Sequence, residues 1–425
     1  MAIITYLKSS GYLIAEKILR IILGFFVGIK IAQMLGPHDY GRYSYILAWV
    51  SILSVISKLG LDNVILKIIS TDSKVDDSMG TAILLRIFTS FIIIFSTSWL
   101  AYSFINDTEL FKLIIILSTS LIPESLTIFL QYLYYEAKGK VISMIYIFQF
   151  IISIIVKVYL IIIGAEIDAF IYALLFDSVV LGGCLIFVFG GRSRVSLKNY
   201  QKSISLDLLS KGLPLMLSAL AVVLYMKLDQ FMINYFMGEN ALGVYSVSVK
   251  ISESINFIPV IVTASVFPVL LNSRSESELK ISSIRLHSMM FYLSLVLVGL
   301  LLTTSNFVIK YLGKDFSEAY DVLLLHCWSG IFVFWGLAST KWLVKKGLER
   351  FQLYRTASGL FVNLVLNIYL IPLFGLKGAA LATIVSYSIA GLFFDIFFKQ
   401  TRELFYIKIN SINYKYLFSD DKPVS

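Results

Sequence analysis

Gly212–Leu271 reads GLPLMLSALAVVLYMKLDQFMINYFMGENALGVYSVSVKISESINFIPVIVTASVFPVLL. Two long apolar runs flank the connector Gly238–Gly243, and Lys227, Asp229, Lys250 and Glu253 lie within the runs. A transmembrane helix needs about 20 predominantly apolar residues, so the stretch reads as two membrane spans joined by a short turn. A charged side chain deep in a span costs about 2.5–3.5 kcal/mol on insertion scales and marks a pathway or site. No other part of the chain is so dense in expensive residues.

The rest of the composition agrees. Hydrophobic residues make up 58% and charged residues only 15% of the 425, with a mean hydropathy of +0.83. A soluble domain carries about 25% charged residues, so this chain cannot supply a water-facing surface of normal polarity. The fold class is an all-α integral membrane protein. The net charge of +9 reads as the cytoplasmic bias of Lys and Arg in short loops rather than as a nucleic-acid surface. Cys184 and Cys327 have no metal-type spacing to a second ligand, so neither zinc nor a disulfide is expected. The first apolar stretch carries Lys17 and Arg20 and lacks a small-residue cleavage site, so it is expected to stay as a span.

Applied along the chain, the length rule gives about twelve spans. They divide into an N-terminal six-helix lobe (1–190), a basic cytoplasmic linker (191–211), a C-terminal six-helix lobe (212–398) and a cytoplasmic tail (399–425). Cations crowd alternate loops, which places both termini in the cytoplasm. An internal repeat supports the division. Leu35-Gly-Pro-His-Asp-Tyr-Gly-Arg-Tyr-Ser44 and Met237-Gly-Glu-Asn-Ala-Leu-Gly-Val-Tyr-Ser246 share Gly-x4-Gly-x-Tyr-Ser. Gly36, Gly41, Gly238 and Gly243 therefore read as one structural hinge used twice. An even number of spans per half makes the repeats parallel, and such repeats place a substrate site between the halves.

No Walker-type phosphate loop occurs, and no large external loop gathers the carboxylates or histidines that a membrane sugar polymerase or transferase needs. The reading is transport, not catalysis. The candidate substrate contacts are the intramembrane cations Lys17, Arg20, Lys58, Lys227 and Lys250, which would make a hydrated interior suited to an anion. For Lys30, Arg86, Lys310 and Arg355 the expectation is snorkelling, the long stem lying along the helix while the charge reaches the headgroups. Glu124, Asp177, Asp62, Asp229 and Glu253 are either structural charge partners or sites for a coupling H+ or Na+. Pro123 beside Glu124 frees a backbone carbonyl, which favours a bend or a cation site.

Taken together, these residues form a familiar pattern. Lys227-x-Asp229-Gln230, Gly238-x4-Gly243-x-Tyr245-Ser246, Lys250-x2-Glu253, Ile258-Pro259 and Ser265-x-Phe267-Pro268 resemble the polysaccharide flippase (Wzx, O-antigen exporter) family. The first hairpin and Asn363-x3-Asn367-x4-Pro372-x2-Gly375-x2-Gly378 extend the resemblance to the whole chain. The resemblance implies two six-helix lobes around a central cavity, in the manner of the multidrug/oligosaccharidyl-lipid/polysaccharide exporters. It implies a cargo of undecaprenyl-pyrophosphate-linked oligosaccharide, of O-antigen or capsule type, moved to the periplasmic leaflet of a bacterial inner membrane. Ion-coupled alternating access without further cofactors, and contact with assembly proteins such as the polymerase, are the accompanying expectations. The alternatives are an ion-coupled multidrug or lipid-precursor exporter of the same fold and, further off, a membrane sugar polymerase.

Overall fold

The computed structural model describes residues 2–71, 75–104, 107–189 and 200–418. The first part of the basic linker, 191–199 with Arg192, Arg194 and Lys198, lies outside the described residues, as does the end of the tail from 419. Among the described residues there is no strand. Contacts divide the chain into two compact units, Met1–Leu35 with Arg42–Val223, and Gly36–Gly41 with Leu224–Ser425.

In chain order the helices are α1 (Ala2–Lys58), α2 (Leu61–Thr71), α3 (Val75–Phe104), α4 (Thr108–Ser118), α5 (Leu121–Glu124), α6 (Phe129–Tyr135), α7 (Gly139–Ile162) and α8 (Ile167–Phe189). They continue with α9 (Lys202–Glu253), α10 (Phe257–Leu271), α11 (Glu276–Leu312), α12 (Ala319–His326), α13 (Ser329–Lys345), α14 (Arg350–Gly391), α15 (Arg402–Ser411) and α16 (Lys415–Phe418). Nine helical segments among the described residues are long and apolar enough to cross a membrane, and three of them run to 60, 70 and 47 residues. A straight 60-residue helix would be about 90 Å long, three times the hydrocarbon thickness. The chain resolves this with breaks at glycine inside α1, α9 and α14.

The breaks show what the repeat encodes. Gly36 has φ 72° and ψ 174°, and Gly238 has φ 82° and ψ −177°. Both sit in a region open essentially to glycine alone, and the two repeats adopt it at the same place. Gly41 and Gly243 do something different. A Cβ on Gly41 would lie 1.8 Å from the carbonyl oxygen of Glu239, and one on Gly243 would lie 1.8 Å from that of Pro37. The first glycine of each motif thus makes the turn, and the second lets the two connectors pack backbone to backbone. That contact explains why residues 36–41 belong to the second unit although the arms of α1 belong to the first.

Helix starts follow ordinary capping chemistry. The Asp107 carboxylate accepts the Glu109 and Leu110 amides at 3.0 Å, which caps α4. Ser275 accepts the Glu278 amide at 3.2 Å while Glu278 takes the Arg274 amide at 2.8 Å, a near relative of the capping box. The first unit packs Leu61, Ile65, Met79, Ile128, Ile142 and Leu185 into one core, with Phe129 stacked on Phe189 at 4.6 Å. Large apolar side chains also point outward, among them Phe95, Phe187 and Phe307. A surface like this is stable against hydrocarbon and costly against water.

Candidate functional site

The first unit carries an open cavity of about 460 Å³ in which charged and polar side chains stand among apolar ones. Arg20 and Lys58 reach it from the two arms of α1, Glu124 from α5, Tyr146 and Gln149 from α7, and Asp177 from α8. Four of the residues singled out in the sequence thus line one space. Each cation there has its own acid. Arg20 Nε stands 3.1 Å from Glu16 Oε1 on the preceding turn, and its guanidinium lies 4.6 Å from the centre of the Tyr146 ring. Lys58 Nζ is 3.5 Å from Glu124 Oε2, which also accepts the Ser54 hydroxyl at 2.7 Å. Behind the wall, Lys157 Nζ is 2.5 Å from Asp177 Oδ2, and Ser153 donates to the same oxygen at 2.9 Å.

Glu124 owes its position to a local irregularity. Pro123 cannot donate a backbone bond, and a 3-10 turn, Ser125–Ile128, follows at once. Gly182 of α8 packs closely on Pro123, where an added Cβ would meet the ring at 3.0 Å. Asp62 is placed elsewhere: it pairs with Arg86 Nη2 at 2.9 Å and accepts the Gln131 amide at 3.2 Å. Lys17, although one turn from Arg20, is exposed and does not line the cavity.

The second unit holds its acid in another way. Asp229 is buried, and three side chains donate to it: Tyr245 Oη at 2.7 Å, Thr383 Oγ1 at 2.5 Å and Asn367 Nδ2 at 2.6 Å. Asn367 also donates to Asn363 Oδ1 at 3.0 Å, while its own Oδ1 is buried without a partner. Among the described residues no cation pairs with Asp229 within ion-pair distance. A carboxylate, a threonine hydroxyl and two amide oxygens on α9 and α14 form an oxygen-rich set of the kind that suits a hard cation. Among the described residues no group of three His, Cys, Asp or Glu is placed to hold a metal.

The remaining sequence candidates are scattered. Lys227 and Glu253 are half-buried and lie within electrostatic range of each other. Lys250 Nζ sits 6.0 Å from the centre of the Tyr40 ring in the first connector. Neither lysine forms an ion pair among the described residues. Snorkelling is overturned for two arginines. Arg86 is fully buried against Asp62, and Arg355 is buried with Nε donating to the Ala390 carbonyl at 2.9 Å. Asp62 of α2 supplies the acceptor for Arg86, and the far arm of α14, beyond its break at Gly375, supplies the one for Arg355.

The start of the tail packs into the second unit. Lys408 of α15 is fully buried, 2.5 Å from Asp395 and 2.6 Å from the Gly391 carbonyl. Ser288 and Tyr292 of α11 donate to the carbonyls of Ser411 and Ile412 at 2.7 and 2.6 Å. Sequence reasoning missed Glu16, whose i,i+4 spacing to Arg20 was the available signal. It also missed Tyr245 and Thr383 as partners of Asp229, for which one-dimensional spacing holds no sign.

Comparison with known proteins fits this geometry. Residues 31–321 match the model of a family described as polysaccharide biosynthesis protein. A probable flippase of Haloferax volcanii, AglR, is 27% identical over 252 residues, which is 57% of this chain and 51% of that protein. The chain therefore matches about half the length of that relative. Among solved structures, the lipid II flippase MurJ in an inward closed conformation superposes with a TM-score of 0.73 at 16% identity, covering 94% of this chain and 90% of that one. An inward-facing multidrug resistance transporter of the MATE family gives 0.70 at 16% identity, covering 92% and 96%. The long helices broken at glycine, the buried charges and the family match over more than half the chain converge on one assignment: this is a member of the polysaccharide biosynthesis protein family, with an all-α fold like that of the two solved transporters.

Proposed function

We propose that the protein is a flippase for a lipid-linked saccharide, passing the polar headgroup through a hydrated interior while the prenyl chain stays in the bilayer. It is a transporter and not an enzyme. The observation that carries the reading is the open cavity of the first unit, where Arg20, Lys58, Glu124 and Asp177 gather on helices that elsewhere expose large apolar side chains. Such a space offers a sugar what hydrocarbon denies it, namely partners for its hydroxyl groups.

The finer reading is an undecaprenyl-type pyrophosphate carrier bearing an oligosaccharide repeat of O-antigen or capsule class. It moves outward across an inner (plasma) membrane by alternating exposure, with both termini cytoplasmic and the polymerase as a downstream partner. Lys227 and Lys250 of the second unit, which make no ion pair among the described residues, are the cations that would meet the pyrophosphate. Asp229 with Thr383, Asn363 and Asn367 is the proposed site of a coupling H+ or Na+. The support is a buried acid without a cationic partner among the described residues, beside a buried amide oxygen without a donor.

The test is transport in proteoliposomes of a fluorescent lipid-linked oligosaccharide, alongside restoration of surface polysaccharide in a strain deleted for its own flippase. Movement of the oligosaccharide, with none of a cationic drug, supports the reading. Movement of the drug alone would make the protein a multidrug exporter.

A further inference from the structure

The charges of the first unit's cavity carry a consequence for what enters it. Arg20, Lys58 and Lys157 are matched one for one by Glu16, Glu124 and Asp177 at 3.1, 3.5 and 2.5 Å. A group bearing an extra negative charge would therefore enter a space with no cation to spare. It would have to displace a resident carboxylate or stand beside one, and like charges at close range in a partly desolvated site repel strongly. An uncharged polyol meets no such barrier. Among the described residues, Glu124 Oε1 and Asp177 Oδ1 are not engaged by other protein groups and can accept sugar hydroxyls. The Ser51 and Ser178 hydroxyls donate to carbonyls of their own helices at 2.7 Å, which leaves their lone pairs as acceptors. The Gln149 amide, unengaged among the described residues, offers a donor and an acceptor together.

We propose that this cavity is the glycan subsite, that it takes uncharged sugars bearing hydroxyl and acetamido groups and rejects uronic acids, and that Glu124 is the residue that sets this selectivity. The inference rests on the flippase reading above. Glu124 is singled out because its pair with Lys58 is the loosest of the three and both members line the cavity. Asp177, by contrast, is held by Lys157 and Ser153 together, and Lys157 does not line the space. Neutralising Glu124 leaves Lys58 as a surplus cation facing the sugar. Neutralising Asp177 releases a cation that lies outside the lining.

The experiment compares transport in proteoliposomes of two lipid-linked disaccharides, cellobiose and cellobiouronic acid, which differ by one carboxylate. The native protein should move the neutral one about tenfold faster, the size expected for one uncompensated like-charge contact in a partly screened site. Glu124→Gln should bring the ratio close to one, and Asp177→Asn should leave it where it was. Equal or faster movement of the uronic acid by the native protein would overturn the inference while leaving the flippase reading intact. So would a ratio that responds to Asp177→Asn and not to Glu124→Gln. Movement of neither disaccharide, with both lipids shown to be accessible, would overturn the flippase reading itself. The native ratio decides the matter even if Glu124→Gln fails to fold.

Discussion

The two units face one problem, charge at membrane depth, and solve it differently. In the first, every cavity cation has an acid within 3.5 Å, so the space is polar but close to neutral. In the second, Asp229 is stabilised by a phenol, a hydroxyl and an amide, and among the described residues no cation completes it. Paired charges give a rigid polar surface whose members depend on each other. A lone acid held by neutral donors keeps its charge available to something that arrives. The first arrangement suits recognition of a bulky polar cargo, and the second suits a small cation.

The sharpest way to break this contrast is to neutralise the lone acid. Asp229→Asn keeps the shape and most hydrogen bonds, so thermal stability in detergent should hold or rise, while transport falls at least about a hundredfold if a cation must bind there. Transport at the native rate would remove the second unit's distinction. The paired unit should respond in the opposite sense. Lys157→Met leaves Asp177 without its cation and should cost about 2 kcal/mol, given that both side chains keep some exposure. Lys157→Met with Asp177→Asn should recover most of it. A double-mutant cycle by chemical denaturation reads the coupling directly, and additive costs would mean that the pair is not a unit.

A smaller effect comes from α15, where the second unit does contain paired charge. Burial draws the Lys408 ammonium down to about 7, against the opposing pull of Asp395. The folded chain then holds fewer protons at this site than the unfolded chain between about 7 and the ordinary lysine value of 10.5. Stability from this group grows as pH rises through that window and is absent below about 7. Thermal melts from pH 6 to 9 should show an upward slope that Lys408→Met flattens, and an unchanged slope would assign the dependence to other groups.

Much of this is legible in the order of residues alone. Membrane burial follows from apolar runs of sufficient length, because hydrocarbon tolerates almost nothing else. The connector motif marks both turns, since Gly36 and Gly238 adopt a backbone open to few other residues. Acids and cations inside spans announce a polar interior, and Arg20, Lys58, Glu124 and Asp177 do meet in one cavity. The sequence misleads where a long cation has two places to go. Arg86 turns inward to Asp62 of another helix and Arg355 to the far arm of α14 beyond the Gly375 break, acceptors that spacing within one span does not reveal.

The order of residues sets the class of solvent each helix meets, the positions of the turns and the set of expensive residues. These depend on local composition and on backbone sterics, which act within a few residues. Which acid partners which cation was decided only in three dimensions. Asp62 goes to Arg86 and Glu124 to Lys58 across separations of 24 and 66 residues, and two of the three donors to Asp229, Asn367 and Thr383, come from a helix more than a hundred residues away. Electrostatic pairing falls off over a few ångströms, so the sign of the cavity, and with it the cargo the protein can accept, depends on packing that the order of residues does not display.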